Sequence, residues 1–336
     1  MSMIVGCYER GGPASEVIEI GRAPVPEPGP DDVLVRLHAS GINPSDYKKR
    51  GNARTPMEFS RIVPHSDGAG VVERVGRNVK GFQPGARVWV FNGQWERPQG
   101  TAAQFIALPA SQVRPLPDHT TFAEGACLGI PAMTACRVIF MDGPVRGQTV
   151  YVPGAAGRVG AYAVQFAKWG GARVIASVSG AEKSDVAHGL GADEVIDRSR
   201  QDVAETVLKL TGGRGVDRIA EVEFGGNMAI NARILAEGGV IASYASAQVP
   251  VAQITVSPRR ARNMSIHFVF VYLLDAAAIE STCALVQKAE QERALRHRIA
   301  ATYPLERLAE AHASAERQSG SGHVIVTIDQ RAAKPV

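Results

Sequence analysis

The chain has 336 residues, 45% of them hydrophobic, with 37 basic against 33 acidic side chains and a formal net charge of +4. That length exceeds one domain of ordinary size and supplies ample apolar material, so two globular domains are expected. The basic residues are spread along the chain with no block that could track a phosphate backbone, which argues against a nucleic-acid partner. The longest apolar stretch, 268–274, is far too short to span a bilayer, and the opening MSMIVGCYER lacks a secretory pattern, so a cytoplasmic protein with no membrane partner is expected.

In chain order, the first 125 residues read as short β-branched runs broken by Gly and Pro: VLVRL from 33, GVVERV from 70, RVWVF from 87 and AAQFIAL from 102. This spacing predicts a compact, largely antiparallel β domain. The texture changes at Thr121. Helical patterns at 122–130 and 133–139 lead into strand 148–152, helix 158–169, strand 173–178, helix 182–189, strand 217–221 and a helix reaching about 236. Such alternation predicts a doubly wound parallel sheet with helices on both faces. A helical segment at 276–295, a helix near 305–316 and a lone strand at 323–328 follow, and that strand is expected to return to the first domain. The predicted boundaries are 1–125 with 275–336 for the β domain and 126–274 for the wound sheet. Cys7, Cys127, Cys136 and Cys283 are scattered, with no CxxC pair, and read as free buried thiols.

The sequence VPGAAGRVGAYAVQFAKW, from 152, carries the chemistry. Gly154, Gly157 and Gly160 follow a strand and open a helix, the setting in which a dinucleotide pyrophosphate approaches backbone N–H groups at a helix N-terminus. A Cβ in the loop would block that approach, and the last glycine lets helix and strand pack closely. An NAD site places an acid at the end of the second strand to hold the ribose hydroxyls. Here that strand ends Ala176-Ser177-Val178-Ser179-Gly180, with no acid, while Lys183 and Arg198 stand nearby in sequence. Two cations there suit a 2′-phosphate and hence NADPH; the alternative is that both are solvated surface charges.

Six segments carry a resemblance: GINPSD from 41, PHSDGAGVV from 64, GTAAQF from 100, GIPAMTA from 129, the loop 154–160, and GLGADEVID from 189. With them the chain resembles, nearly end to end, the zinc-independent, zeta-crystallin-like quinone oxidoreductases of the medium-chain dehydrogenase/reductase superfamily. The resemblance implies a GroES-like, largely antiparallel β catalytic domain and a Rossmann cofactor domain. Zinc alcohol dehydrogenases of that superfamily carry a Cys and a His ligand where this chain has Asn43 and Ser66, and FNGQWERPQG from 91, where a Cys-rich lobe would fall, has no cysteine. No metal is therefore expected.

The resemblance further implies NADPH in the cleft between domains. Gly154, Ala155, Gly157, Arg158, Val159 and Gly160 would lie at the pyrophosphate, and Ser177, Lys183 and Arg198 at the 2′-phosphate. Thr134 and backbone groups around Phe268 and Phe270 would lie at the nicotinamide, with Tyr244 and Ser246 lining the cofactor. Asn43 would donate a hydrogen bond to a quinone oxygen as charge develops there, or else simply cap its own turn. Asp46 and Tyr47 could relay a proton; some relatives carry a tyrosine where this chain has Lys48. Glu223 facing the ribose and Arg317 facing the 2′-phosphate are further candidates. His65, Ser66 and Asp67 are adjacent and cannot form a hydrolytic triad in sequence. The expected activity is NADPH-dependent quinone reduction. Reduction of an enone or alkenal double bond and non-catalytic NADPH binding are the alternatives. The run SIHFVFVY, from 265, resembles the edge strand through which family members pair, so a homodimer is expected.

Overall fold

The computed structural model describes residues 1–52, 56–254, 263–317 and 322–328. It divides into two compact units, Met1–Pro131 with His297–Val336, and Ala132–Arg296. Both boundaries lie later than the sequence predicts. The second matters more, because the helix 276–291 falls in the central unit: its buried Thr282, Cys283 and Val286 pack inward there, with the Thr282 carbonyl 3.7 Å from Cys136 Sγ. No Gly or Pro punctuates that junction in the sequence, so periodicity alone could not assign the helix to either side.

In the first unit, β1 (Ser2–Cys7) and β2 (Glu19–Pro24) form an antiparallel pair flanking a single turn, α1 (Ala14–Val17). The main sheet contains β3 (Asp32–Ile42), β4 (Asp67–Val75), β5 (Arg87–Val90), β6 (Phe105–Pro109) and β7 (Val113–Pro115), joined by β14 (Ile299–Pro304) and β15 (His323–Thr327) from the chain end. Its order is β14-β15-β3-β4-β5-β7, with β6 also paired to β3. All pairs are antiparallel save β14 with β15. The closing strand does return to the first unit, Val324 opposite Ile42. Val33, Val35 and Leu37 of β3 share a core with Val72, Val88, Val90, Ile106 and Leu108. Each such side chain contributes about 1.5–3 kcal/mol on burial. A second core gathers Met3, Val5, Val324 and Val326 against Leu308 and Ala311.

Where β3 ends, α2 (Pro44–Gly51) begins. Asn43 is its N-cap, and Pro44 occupies the first helical position, where its fixed φ and missing N–H cost nothing. The Asp46 carboxylate reaches back to accept the Asn43 N–H at 2.6 Å, which locks the entry to the helix. The predicted helix at 122–130 is instead a single turn, α3 (Phe122–Gly125), followed by a wide turn at Leu128–Ala132 that contains Pro131. Gly and Pro interrupt the pattern there before a regular helix can propagate.

The second unit is built on an all-parallel sheet of β8 (Thr149–Pro153), β9 (Arg173–Val178), β10 (Glu194–Asp197), β11 (Val216–Glu221), β12 (Leu235–Ser243) and β13 (Ser265–Phe268). The order is β10-β9-β8-β11-β12-β13. Every residue of β8 is buried, as both faces of a wound sheet are covered. The helices are α4 (Met133–Phe140), α5 (Arg158–Trp169), α6 (Ala181–Gly189), α7 (Val203–Leu210), α8 (Phe224–Ile234) and α9 (Ala276–Gln291). The buried Arg218 of β11 ties the end of α4 to the sheet, donating to the Val138 carbonyl at 3.0 Å and pairing with Asp142 at 2.8 Å. The chain winds outward from β8 in one direction and from β11 in the other. Their carboxyl ends therefore flank the switch point, the place where such sheets bind ligands. Among the described residues no helix is long and apolar enough to cross a membrane. All four cysteines are free and buried, as predicted.

Candidate functional site

The glycine loop lies at that switch point. Gly154 has φ +66°, and a Cβ on it would come within 3.2 Å of Val222 Cγ1, just past the end of β11. A Cβ on Gly160 would sit 2.4 Å from the Gly154 carbonyl oxygen, so the loop and the first turn of α5 touch backbone to backbone. The N–H groups of Gly154 and Ala155 donate to the Ser177 carbonyl at 2.9 and 3.3 Å, and that of Gly157 donates to the Gly154 carbonyl. These three donors are thus used in building the loop. Beyond the loop, the first turn of α5, around Val159 and Gly160, presents the N–H groups of a helix start. This is a cradle that fits a pyrophosphate: glycines remove the side chains, and the helix start supplies N–H groups and the positive end of its dipole.

The end of β9 carries hydroxyls instead of a carboxylate. Ser177 Oγ lies 2.7 Å from the Tyr151 hydroxyl, and both side chains are buried. Burial pushes the Tyr151 hydroxyl upward, while the Ser177 hydrogen bond and the positive charge of Arg198 pull it down. Arg198 is thereby within electrostatic reach of this hydroxyl pair. Lys183 lies in the first turn of α6, half-buried. Asp197, opposite Val178 on the neighbouring strand β10, is committed elsewhere, accepting the Gly180 N–H at 3.1 Å and both the N–H and hydroxyl of Ser199. Sequence alone does not predict Tyr151; it is flanked in β8 by the apolar Val150 and Val152, and only the pairing of β8 with β9 brings it to Ser177.

Other cofactor candidates are distributed around this unit. Thr134 is buried in the first turn of α4. Tyr244 follows β12, its hydroxyl pushed upward by burial and by the charge of Glu221. Ser246 and Glu223 belong to one loop clamp. The Glu223 carboxylate accepts N–H groups from Ala247, Gln248 and Val249 at 2.8 to 3.0 Å, and Ser246 Oγ receives the Gly225 N–H at 2.9 Å. Partial burial pushes the Glu223 carboxyl up, but those donors outweigh it and hold it below the usual range. A carboxylate so occupied serves the loop. Glu221 is fully buried, accepting from the Glu223 N–H, Asn227 Nδ2 and Asn231 Nδ2. Phe268 ends β13 and stacks edge-on against Phe224, and Phe270 packs beside Tyr272. Arg317 closes the last helix, α10 (Leu308–Arg317).

In the first unit, Asn43 is the best-defined polar group. Its Nδ2 donates to Asp67 Oδ2 at 2.7 Å, and the same carboxylate accepts the Ile130 N–H at 2.9 and 3.0 Å. Asn43 and Asp67 are both buried. Burial pushes the Asp67 carboxyl up to about 8 against the pull of those two donors, and the Asp46 charge adds to the rise. Tyr47, one turn into α2, packs its ring against the core around Met3 and Leu308. His65 and Asp67 turn to different partners, so no triad forms. His65, at φ +80°, lies with its Nδ1 2.8 Å from Ser40 Oγ and its Nε2 2.9 Å from His312 Nε2. Burial pushes His65 down to about 3 and His312 well below its usual range. Among the described residues no group of three His, Cys, Asp or Glu side chains is placed to hold a metal ion.

Comparison with known proteins fits this architecture. Residues 29–118 match the alcohol dehydrogenase GroES-like domain family and residues 159–288 the zinc-binding dehydrogenase family. The chain is 30% identical over 317 residues to a quinone oxidoreductase of Rattus norvegicus, covering 93% of each. It is 36% identical over 219 residues to a trans-enoyl reductase of Aspergillus flavipes, covering 61% of this chain and 62% of that one. A quinone oxidoreductase of Pseudomonas syringae superposes with a TM-score of 0.83 at 27% identity, over 97% of this chain and 99% of that one. A mycobacterial protein solved in complex with NADPH gives 0.82 at 28% identity, with the same coverage. The chain belongs to the zeta-crystallin-type quinone oxidoreductases of the medium-chain dehydrogenase/reductase superfamily.

Proposed function

We propose that the protein is an NADPH-dependent quinone reductase that works without a metal. NADPH, when bound, supplies a hydride, that is, two electrons and one hydrogen nucleus; solvent supplies the proton that completes the quinol. The glycine cradle and the start of α5 would hold the pyrophosphate, and Ser177, Lys183 and Arg198 the 2′-phosphate. Asn43 would donate to the acceptor oxygen as it gains negative charge. The observation that carries the reading is the fixed Asn43 amide: Asn43 and Ser66 offer neither thiolate nor imidazole, so activation rests on a hydrogen bond, which suffices for an acceptor as electrophilic as a quinone. Tyr47, partly buried, contributes packing against the core in this reading.

The likeness to a trans-enoyl reductase favours one second reading, reduction of an activated carbon–carbon double bond. The test is NADPH and NADH oxidation by the purified protein with panels of ortho- and para-quinones and of enones. Quinone turnover with NADPH preferred is expected. Inert quinones beside rapid enone turnover would replace the first reading with the second.

A further inference from the structure

Asp67 is buried beside the proposed oxygen-binding amide, and its setting is specific. Gly129 lacks a side chain where a Cβ would lie 2.0 Å from Asp67 Oδ1, and Gly41 lacks one where a Cβ would press on the Ala126 carbonyl oxygen at 2.2 Å. The backbone at Gly129 is thus drawn in on the carboxylate itself and that at Gly41 on the backbone beside it, and each carboxylate oxygen accepts an N–H at 3.0 Å or less. Stability does not account for this arrangement, because taking a carboxylate out of water is costly and an apolar side chain here would avoid that cost.

We propose that Asp67 is a positioning residue: its carboxylate, anchored by the Ile130 N–H, fixes the direction of the Asn43 amide so that an N–H faces the acceptor oxygen. This rests on the reading of Asn43 as the donor to that oxygen. The chemistry is one of polarity. An ionised carboxylate only accepts hydrogen bonds, so Asn43 must turn Nδ2 toward it, and the second N–H of that nitrogen then has a set direction. An amide at position 67 both donates and accepts. With its oxygen taken by the Ile130 N–H, it would turn its own NH2 toward Asn43, which would then flip and present Oδ1 instead. The flipped Asn43 would keep its bond to position 67 but turn Nδ2 toward the Asp46 N–H that its side chain caps, and its remaining groups would no longer match an oxygen gaining negative charge.

The experiment is a double-mutant cycle of Asn43→Ala and Asp67→Asn, with kcat and KM for a para-quinone and, as a fold check, NADPH binding and the urea midpoint. Asn43→Ala is expected to lower kcat. Measured above pH 8, where the Asp67 carboxylate is formed, Asp67→Asn is expected to lower kcat by about 10- to 100-fold with little change in NADPH affinity, as supporting partners of reactive groups do. In the Asn43→Ala background the same substitution is expected to cost almost nothing, because its effect passes through the amide. A full loss in both backgrounds, or none in either, would overturn the positioning role. If Asn43→Ala itself leaves quinone turnover unchanged, the donor reading fails, which is a separate result. Should Asp67→Asn not fold, the native protein decides. Asp67 is flanked by Asn43 and Asp46 of α2 and by the Ile130 N–H, and kcat should rise with pH through about 8 as its carboxylate forms. That limb should be absent from Asn43→Ala; a limb unchanged by that substitution, or no limb at all, would overturn the proposal.

Discussion

At the scale of single residues, the cofactor preference turns on which groups stand at the end of β9. Ser177 and Tyr151 offer hydroxyls there, Arg198 places its charge within their reach, and Asp197 is committed to its own turn. A 2′-phosphate would gain charge-assisted hydrogen bonds in such surroundings, whereas a ribose hydroxyl would lack its acid. Arg198→Ala and Lys183→Ala are each expected to weaken NADPH binding about tenfold, and together more, with NADH binding nearly unchanged. Fluorescence titration at low and high salt checks this; equal losses for both cofactors would mean the cations do not read the phosphate. The missing acid and the two cations were legible in the sequence because they depend on local spacing. Tyr151 was not, because its meeting with Ser177 depends on how β8 and β9 align. Asp67 was legible only as a member of a triad to be dismissed. Its actual partners, Asn43 and the Ile130 N–H, lie 24 and 63 residues away.

At the scale of elements, the sequence predicts helix α5 and strand β9 with the bounds they have, because a strong apolar period is closed by glycines at both ends. The apolar content after Thr121 predicts a helix over 122–130, which the structure breaks at Gly129 and Pro131. Contact between α10 and the start of β4 also creates a feature with no sequence signal, the buried His65 and His312 pair. An imidazole in the unfolded chain titrates near 6.5, while His65 in the fold is held down to about 3. The unfolded chain therefore takes up the proton first, and the stability these residues confer above pH 6.5 is lost as pH falls toward 3. Asp67, raised to about 8, acts in the opposite sense: its contribution is complete below the usual carboxylate range and is lost as pH rises toward 8. The urea midpoint should drop from pH 7 to pH 4, and a His65→Asn, His312→Gln double variant should drop less steeply. Equal slopes for the two proteins would show that the pair does not set the acid limb.

At the scale of the whole molecule, the parallel sheet ends in an edge that is unusually apolar. Beyond β12, the strand β13 ends in Phe268, 72% exposed, and is followed by Phe270 at 52% and Leu273 at 69%. Such an edge is a liability unless something covers it, and we propose that a second copy does so. Light scattering at micromolar concentration should give twice the 35.7 kDa mass of the chain, and Phe268→Asp should shift it toward the monomer. A monomeric mass for the native protein would remove the proposal.

The sequence by itself determined the two architectures, the glycine cradle and the absence of an acid at the second strand. All of these are written in local spacing and residue type, which survive in one dimension. Only the tertiary structure decided that α9 joins the central unit, that Ser246 and Glu223 clamp a loop, that Tyr151 meets Ser177, and that Asp67 grips Asn43. Those outcomes follow from strand register and from packing between segments far apart in the chain, and hydrogen-bond direction is settled only when donor and acceptor are brought together in space.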